Sequence, residues 1–149
     1  MSTSSNIYNT NLASEYFVMS LLCRAGIDAY LSLGNKKGVD VLVKTANGSV
    51  CIVEVKGVNK RNDWLINNNG KFDATPNMIY ALVCYNGQID DLTATPDFWF
   101  IPSNMLAKRT EHKIANNGRT VYVSNKHVRD KYQAYFNNID CLMKHVIKR

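Results

Sequence analysis

Nothing in the chain approaches the roughly 18 consecutive apolar residues that a spanning helix needs, so no transmembrane segment is expected. The opening stretch MSTSSNIYNTN has neither a basic end nor an apolar run, and no signal peptide is read there. The four cysteines, Cys23, Cys51, Cys84 and Cys141, form no CxxC pair, which argues against a disulfide framework or a cysteine zinc site. Each lies in an apolar segment and reads as a small buried hydrophobe in a reducing compartment. The three histidines, His112, His127 and His145, lack the HxxxH and HxxE spacings of zinc ligands. Walker, GxGxxG and GxSxG patterns are missing, and so is any internal repeat, which removes the common nucleotide-binding, serine-hydrolase and solenoid readings.

What is present is an ordinary globular composition, 46% hydrophobic and 20% charged, over 149 residues. That length fits one domain, which buries about two-thirds of its unfolded surface. A soluble, cytoplasmic protein with no membrane partner is the expectation. The net charge of +6 is unevenly spread. Residues 1–99 hold 8 Lys/Arg against 9 Asp/Glu, whereas residues 100–149 hold 10 against 3. A basic end on a neutral body suits a polyanionic partner, because each neutralised phosphate releases counterions.

The spacing predicts a polar tail over 1–10 and a helix over 11–25, stopped at Gly26. Strands are expected over 27–33, 39–44 and 50–55, the last two forming a hairpin across Asn47-Gly48. A long Asn-rich loop fills 57–77, and strands follow over 78–85, 97–101 and 119–124. Ser103 is read as the cap of a short helix over 103–108. From Val128 to Val146 one apolar stripe at helical spacing predicts a single closing helix. The pattern is that of an α/β domain with a mixed central β-sheet flanked by helices, over residues 11–149.

Three charged residues fall on strands that should be buried: Asp40 at the start of one hairpin strand, and Glu54 and Lys56 on one face of the other. Hairpin register decides whether Asp40 joins them. A two-residue turn pairs Asp40 with Val55 and sends the carboxylates to opposite faces. A three-residue loop with Gly48 left-handed pairs Asp40 directly with Glu54. Like charges there are destabilising unless a cation lies between them. Glu15, on the apolar stripe of the first helix, is a fourth candidate, although a Glu in a first turn is also favoured by the helix dipole.

Asp40, thirteen intervening residues and then Glu54-Val55-Lys56, preceded by a helix carrying Glu15, resembles the PD-(D/E)XK nuclease superfamily. The passage over residues 26–43 adds to the likeness, nearest the Holliday-junction-resolvase-like and restriction-endonuclease-like branches. Val39 stands where the family's name has Pro. The resemblance implies a restriction-endonuclease-like fold and a Mg²⁺- or Mn²⁺-dependent DNA endonuclease. Asp40, Glu54, the Val55 carbonyl and Glu15 would hold metal, and Lys56 would position the attacking water. Lys36, Lys37, Lys60, Arg61 and Trp64 are the candidate nucleic-acid contacts, with a solvated loop anchored by Trp64 as the alternative for the last three. Lys126, Arg129 and Lys131 read as a solvated helix face. A chain this short is expected to act as a homodimer or beside a partner protein. The competing readings are a catalytically weak or inactive binding module on the same fold, and an accessory protein whose acidic cluster is structural.

Overall fold

The computed structural model describes residues 3–32 and 40–147. It opens with α1 (Thr3–Arg24) and a three-stranded meander, β1 (Ala29–Leu31), β2 (Val41–Lys44) and β3 (Val50–Val58). Then come β4 (Trp64–Asn67), β5 (Met78–Cys84), β6 (Asp97–Pro102), α2 (Ser103–Leu106), β7 (Lys113–Ile114) and β8 (Val121–Val123). The chain closes with α3 (Asn125–Lys131), a 3₁₀ turn at Gln133–Tyr135 and α4 (Asp140–Ile147).

Five strands form a mixed sheet in the order β1-β2-β3-β5-β6. β3 is its seam, antiparallel to β2 and parallel to β5. The strand β5, MIYALVC, is buried at every position, as a continuous apolar strand covered on both faces should be. One face carries α1 and α4 over Val41, Val53, Val55, Ile79, Ala81 and Phe100. The other carries a second sheet, β4-β8-β7, with α2 and α3, over Tyr80, Leu82, Trp99 and Ile101. The α/β architecture with a central mixed sheet between helix-bearing layers is as expected; the small second sheet is not. Among the described residues, no helix is long and apolar enough to cross a membrane.

Helix α1 buries Ser14, Val18 and Leu22, spaced four apart, and stops at Gly26, whose φ is +75°. The Ile27 N–H reaches back to the Leu22 carbonyl at 3.0 Å, a six-to-one closure that a left-handed glycine permits. The helix nevertheless begins at Thr3, not at Asn11, so residues 3–10 of the segment read as a polar tail are helical. Residues 6–9 are exposed, so no apolar stripe marks this part of the helix.

Other expectations are corrected in the same way. The 57–77 segment is not all loop: β3 runs on to Val58 and β4 pairs with β8. Ser103 does not cap α2; its hydroxyl donates to the Thr75 carbonyl at 2.9 Å, and Pro102 occupies the cap position. The single closing helix is broken. Asn137 takes a left-handed conformation at φ +50°, its N–H donates to the Phe98 carbonyl, and its side chain accepts the Phe98 N–H at 2.9 Å. Asn138 then accepts the Asp140 N–H and starts α4. Cys51 and Cys84 are buried and Cys141 half-buried, but Cys23 is exposed.

Candidate active site

The site grows from the hairpin. Thr45 N–H donates to the Ser49 carbonyl at 2.9 Å around the loop Ala46-Asn47-Gly48, with Gly48 at φ +85°. Val41 pairs with Val53 and Lys44 with Val50. The three-residue register is therefore the one adopted, and it places Asp40 opposite Glu54. β2 ends at Val41 while β3 continues. Beyond that end, the Val55 N–H donates to Asp40 Oδ2 at 2.8 Å. The aspartate side chain thus takes a backbone donor beyond the described β2–β3 ladder.

Glu54 is buried, and its Oε1 lies 2.9 Å from Lys56 Nζ. Its Oε2 is buried and has no hydrogen-bond partner among the described residues. Across the parallel seam its neighbour is Tyr80, whose hydroxyl donates to the Asp73 carbonyl at 2.8 Å. Burial pushes the Glu54 carboxyl above the usual range, Lys56 opposes this, and Asp40 and Asp73 reinforce it. Burial also raises Asp40, against the Val55 N–H and Lys56. Glu15 is raised by burial first and then by Asp40. The Glu15 and Asp40 carboxyls are hydrogen-bonded, a contact that raises Glu15 and lowers Asp40.

Helix α1 reaches this site because Gly57 lets it. A Cβ at Gly57 would meet Ser14 Oγ at 1.9 Å and the Thr10 carbonyl oxygen at 3.3 Å. Ser14 is fully buried and donates back to Thr10, so the helix rests on the bare strand one residue before Glu15. Gly57, Ser14, Asp73 and Tyr80 are the members that sequence reasoning missed. The Gly directly after Lys56 carried a readable signal, since a strand glycine often marks close backbone approach.

The donor set suits a hard divalent cation. Among the described residues, three carboxyls, Glu15, Asp40 and Glu54, face one cation, Lys56, and the buried Glu54 Oε2 has no donor. Among the described residues, no group of three or more His, Cys, Asp or Glu side chains is gathered as a ready-made metal cage. Mg²⁺ does not need one, because it keeps several waters and binds through one or two carboxylates.

The expected nucleic-acid contacts divide. Lys60 and Arg61 are exposed, and Arg61 Nε donates to Asn86 Oδ1 at 3.1 Å. Trp64 is fully buried, packs edge-on to Trp99 and donates its indole N–H to the Val83 carbonyl at 2.9 Å. It is a core residue and has no face to offer a base. Lys36 and Lys37 lie outside the described residues.

No protein-family model matches the chain, and no curated protein matches it. Among solved structures it is similar to a bacterial homing endonuclease, with 11% sequence identity over 90% of each chain and a TM-score of 0.49.

Proposed function

We propose that this protein is a metal-dependent nuclease of the PD-(D/E)XK type that hydrolyses phosphodiester bonds in DNA. One observation carries the reading. Two carboxylates, Asp40 and Glu54, stand opposite each other at the end of a buried hairpin, with Lys56 Nζ 2.9 Å from Glu54. A fold gains nothing in stability from such an arrangement alone, since charges withdrawn from water are costly to hold.

Asp40 and Glu54 would hold Mg²⁺ or Mn²⁺, with the Val55 carbonyl and Glu15 completing the shell. A bound cation supplies Lewis acidity toward a phosphate oxygen and makes a nearby water more acidic. The remaining work falls to the chain. The Val55 N–H fixes the Asp40 carboxylate. Lys56 orients the attacking water and offsets negative charge growing on the phosphate. Glu15, whose carboxyl is raised by burial and by Asp40, lies beside that aspartate and would be drawn toward its charged form by a bound cation. Cutting both strands of a duplex calls for a second site, supplied by a second copy or a partner protein.

The test is incubation with supercoiled, linear, single-stranded and four-way-junction DNA, with Mg²⁺, Mn²⁺ or chelator, with Lys56→Ala alongside. Metal-dependent cutting lost in Lys56→Ala is the expected result. Folded wild-type protein that binds DNA and cuts none of these substrates would replace this reading with that of a binding module.

A further inference from the structure

Part of the positive charge beyond residue 100 is gathered at one place. A cavity of about 280 Å³ opens between the turn at 110–113 and α3, walled in part by Glu111, His112, Lys113, Lys126 and His127. Glu111 fixes its shape. Its buried Oε1 accepts the Tyr132 hydroxyl, lies 2.8 Å from Lys131 Nζ and 3.3 Å from His127 Nε2, and so ties α3 to the turn.

With the Glu111 carboxylate engaged inside the wall, the rim carries Lys113 and Lys126 against one exposed acid, Asp130, which also lines the cavity. Among the described residues Lys126 pairs with Asp130 alone, at 2.7 Å. Such a surface pair is weak and readily exchanged for another anion. Lys108 and Arg109, at the start of the same turn, are exposed and make no ion pair among the described residues.

The cavity is connected to the carboxylate site. His112, on its wall, packs on Phe72 with ring centres 4.9 Å apart. Phe72 packs on Tyr80 at 5.3 Å, and Tyr80 is the cross-strand neighbour of Glu54. Both sites therefore lie on the same face of the five-stranded sheet, and exposed Lys71 precedes Phe72 between them. We propose that this cavity and its rim of Lys113, Lys126 and Lys71 bind the phosphodiester backbone of the DNA strand whose scissile phosphate lies at Glu54 and Lys56. The inference rests on the nuclease reading for the second half of that statement only.

The experiment is fluorescence anisotropy with a labelled duplex in chelator, over a series of salt concentrations. It compares wild type, Lys113→Glu/Lys126→Glu, and the charge-matched control Lys44→Glu/Lys144→Glu, whose lysines are exposed elsewhere. The rim variant is expected to lose about tenfold or more in affinity and to flatten the salt slope by about 2, one for each phosphate contact removed. The control is expected to lose far less and to keep its slope. Lys113→Gln/Lys126→Gln, with its melting temperature checked, reproduces the effect without reversing charge near Asp130. Equal losses in rim and control variants, or an unchanged salt slope, would overturn the proposal, as would a wild type that does not bind. If wild type binds through the rim but never cuts with Mg²⁺, the nuclease reading falls and the binding surface stands. If it cuts, and cuts equally well in the rim variant, only the binding surface falls.

Discussion

Glu54 and Glu111 are buried to nearly the same degree, 6% and 2% exposed, and among the described residues neither Oε2 has a hydrogen-bond partner. Their surroundings push them in opposite directions. Glu111 Oε1 is met by a tyrosine hydroxyl, a lysine and a histidine, and these donors hold its carboxyl down at about 2 despite its burial. Glu54 Oε1 is met by one lysine, with Asp40 and Asp73 adding negative potential, and its carboxyl is raised. The first carboxylate gathers three partners on one oxygen and ties α3 to the body of the protein. Among the described residues the second meets one lysine, and under the proposed function it is where a metal cation would be held. Burial is alike at the two carboxyls; the donors and the neighbouring acids around each set the opposite directions of their shifts.

The comparison can be broken by exchanging one charge at each centre. Glu54→Gln is expected to lower Mg²⁺-dependent cleavage by about 10³-fold, in keeping with loss of a metal-holding or acid–base group. It should leave stability unchanged or about 1 kcal/mol higher, because a buried charge with too few partners is removed. Glu111→Ala is expected to do the opposite. Losing one member of a buried, hydrogen-bonded charge cluster costs about 3 kcal/mol, or about 6–12 °C in melting temperature at this size, with DNA cleavage by the remaining folded protein preserved. A Glu111→Ala protein that melts like wild type would remove the structural half of the contrast.

Metal sharpens it further. Saturating Mg²⁺, at about ten times its dissociation constant, should stabilise the wild type by about 1.4 kcal/mol. Glu54→Gln should show almost none of that gain, and thermal melts with and without chelator measure both.

Proton linkage gives the smallest signal. Glu15, Asp40 and Glu54 titrate above their ordinary values, so the folded chain holds these protons more tightly than the unfolded one. Metal-free stability should therefore rise as pH is lowered from neutral toward the ordinary carboxyl range, and Glu54→Gln should flatten that rise. Glu111, depressed from 4.5 to about 2, contributes fully above its ordinary value. That contribution is lost as pH falls through the interval toward about 2. Urea melts across pH, on wild type and both variants, separate the two limbs.

The hairpin was legible because its chemistry is local. Asn47-Gly48 left two registers open, and only the one with a left-handed Gly48 puts Asp40 and Glu54 together. The break after Lys131 was not legible, because the apolar period of 128–146 continues across it. Helix α3 ends where Tyr132 leaves helical geometry at φ −108°, and Asn137 then turns the chain through two hydrogen bonds to Phe98, far away in sequence. Trp64 was misplaced for a similar reason. Its basic and Asn-rich neighbours suggested an exposed loop, while its burial depends on pairing with β8 and contact with Trp99. Lys56 and Glu54 could be placed from strand period, but Asp73 and Tyr80 reach Glu54 only through the parallel seam, which no short-range pattern encodes.

The contact of α1 with bare backbone at Gly57 makes positions 14 and 57 one variable shared by two distant stretches of chain. Gly57→Ala must lift the helix or expel the Ser14 side chain, since its Cβ would meet Ser14 Oγ at 1.9 Å and Ser14 Cβ at 2.7 Å. Ser14→Gly vacates that space, so the double substitution should recover folding that Gly57→Ala alone loses, less the roughly 1 kcal/mol that a mid-helix glycine costs. Drift at either position is thus permitted only in step with the other, and Glu15 is carried along as a passenger of that bargain.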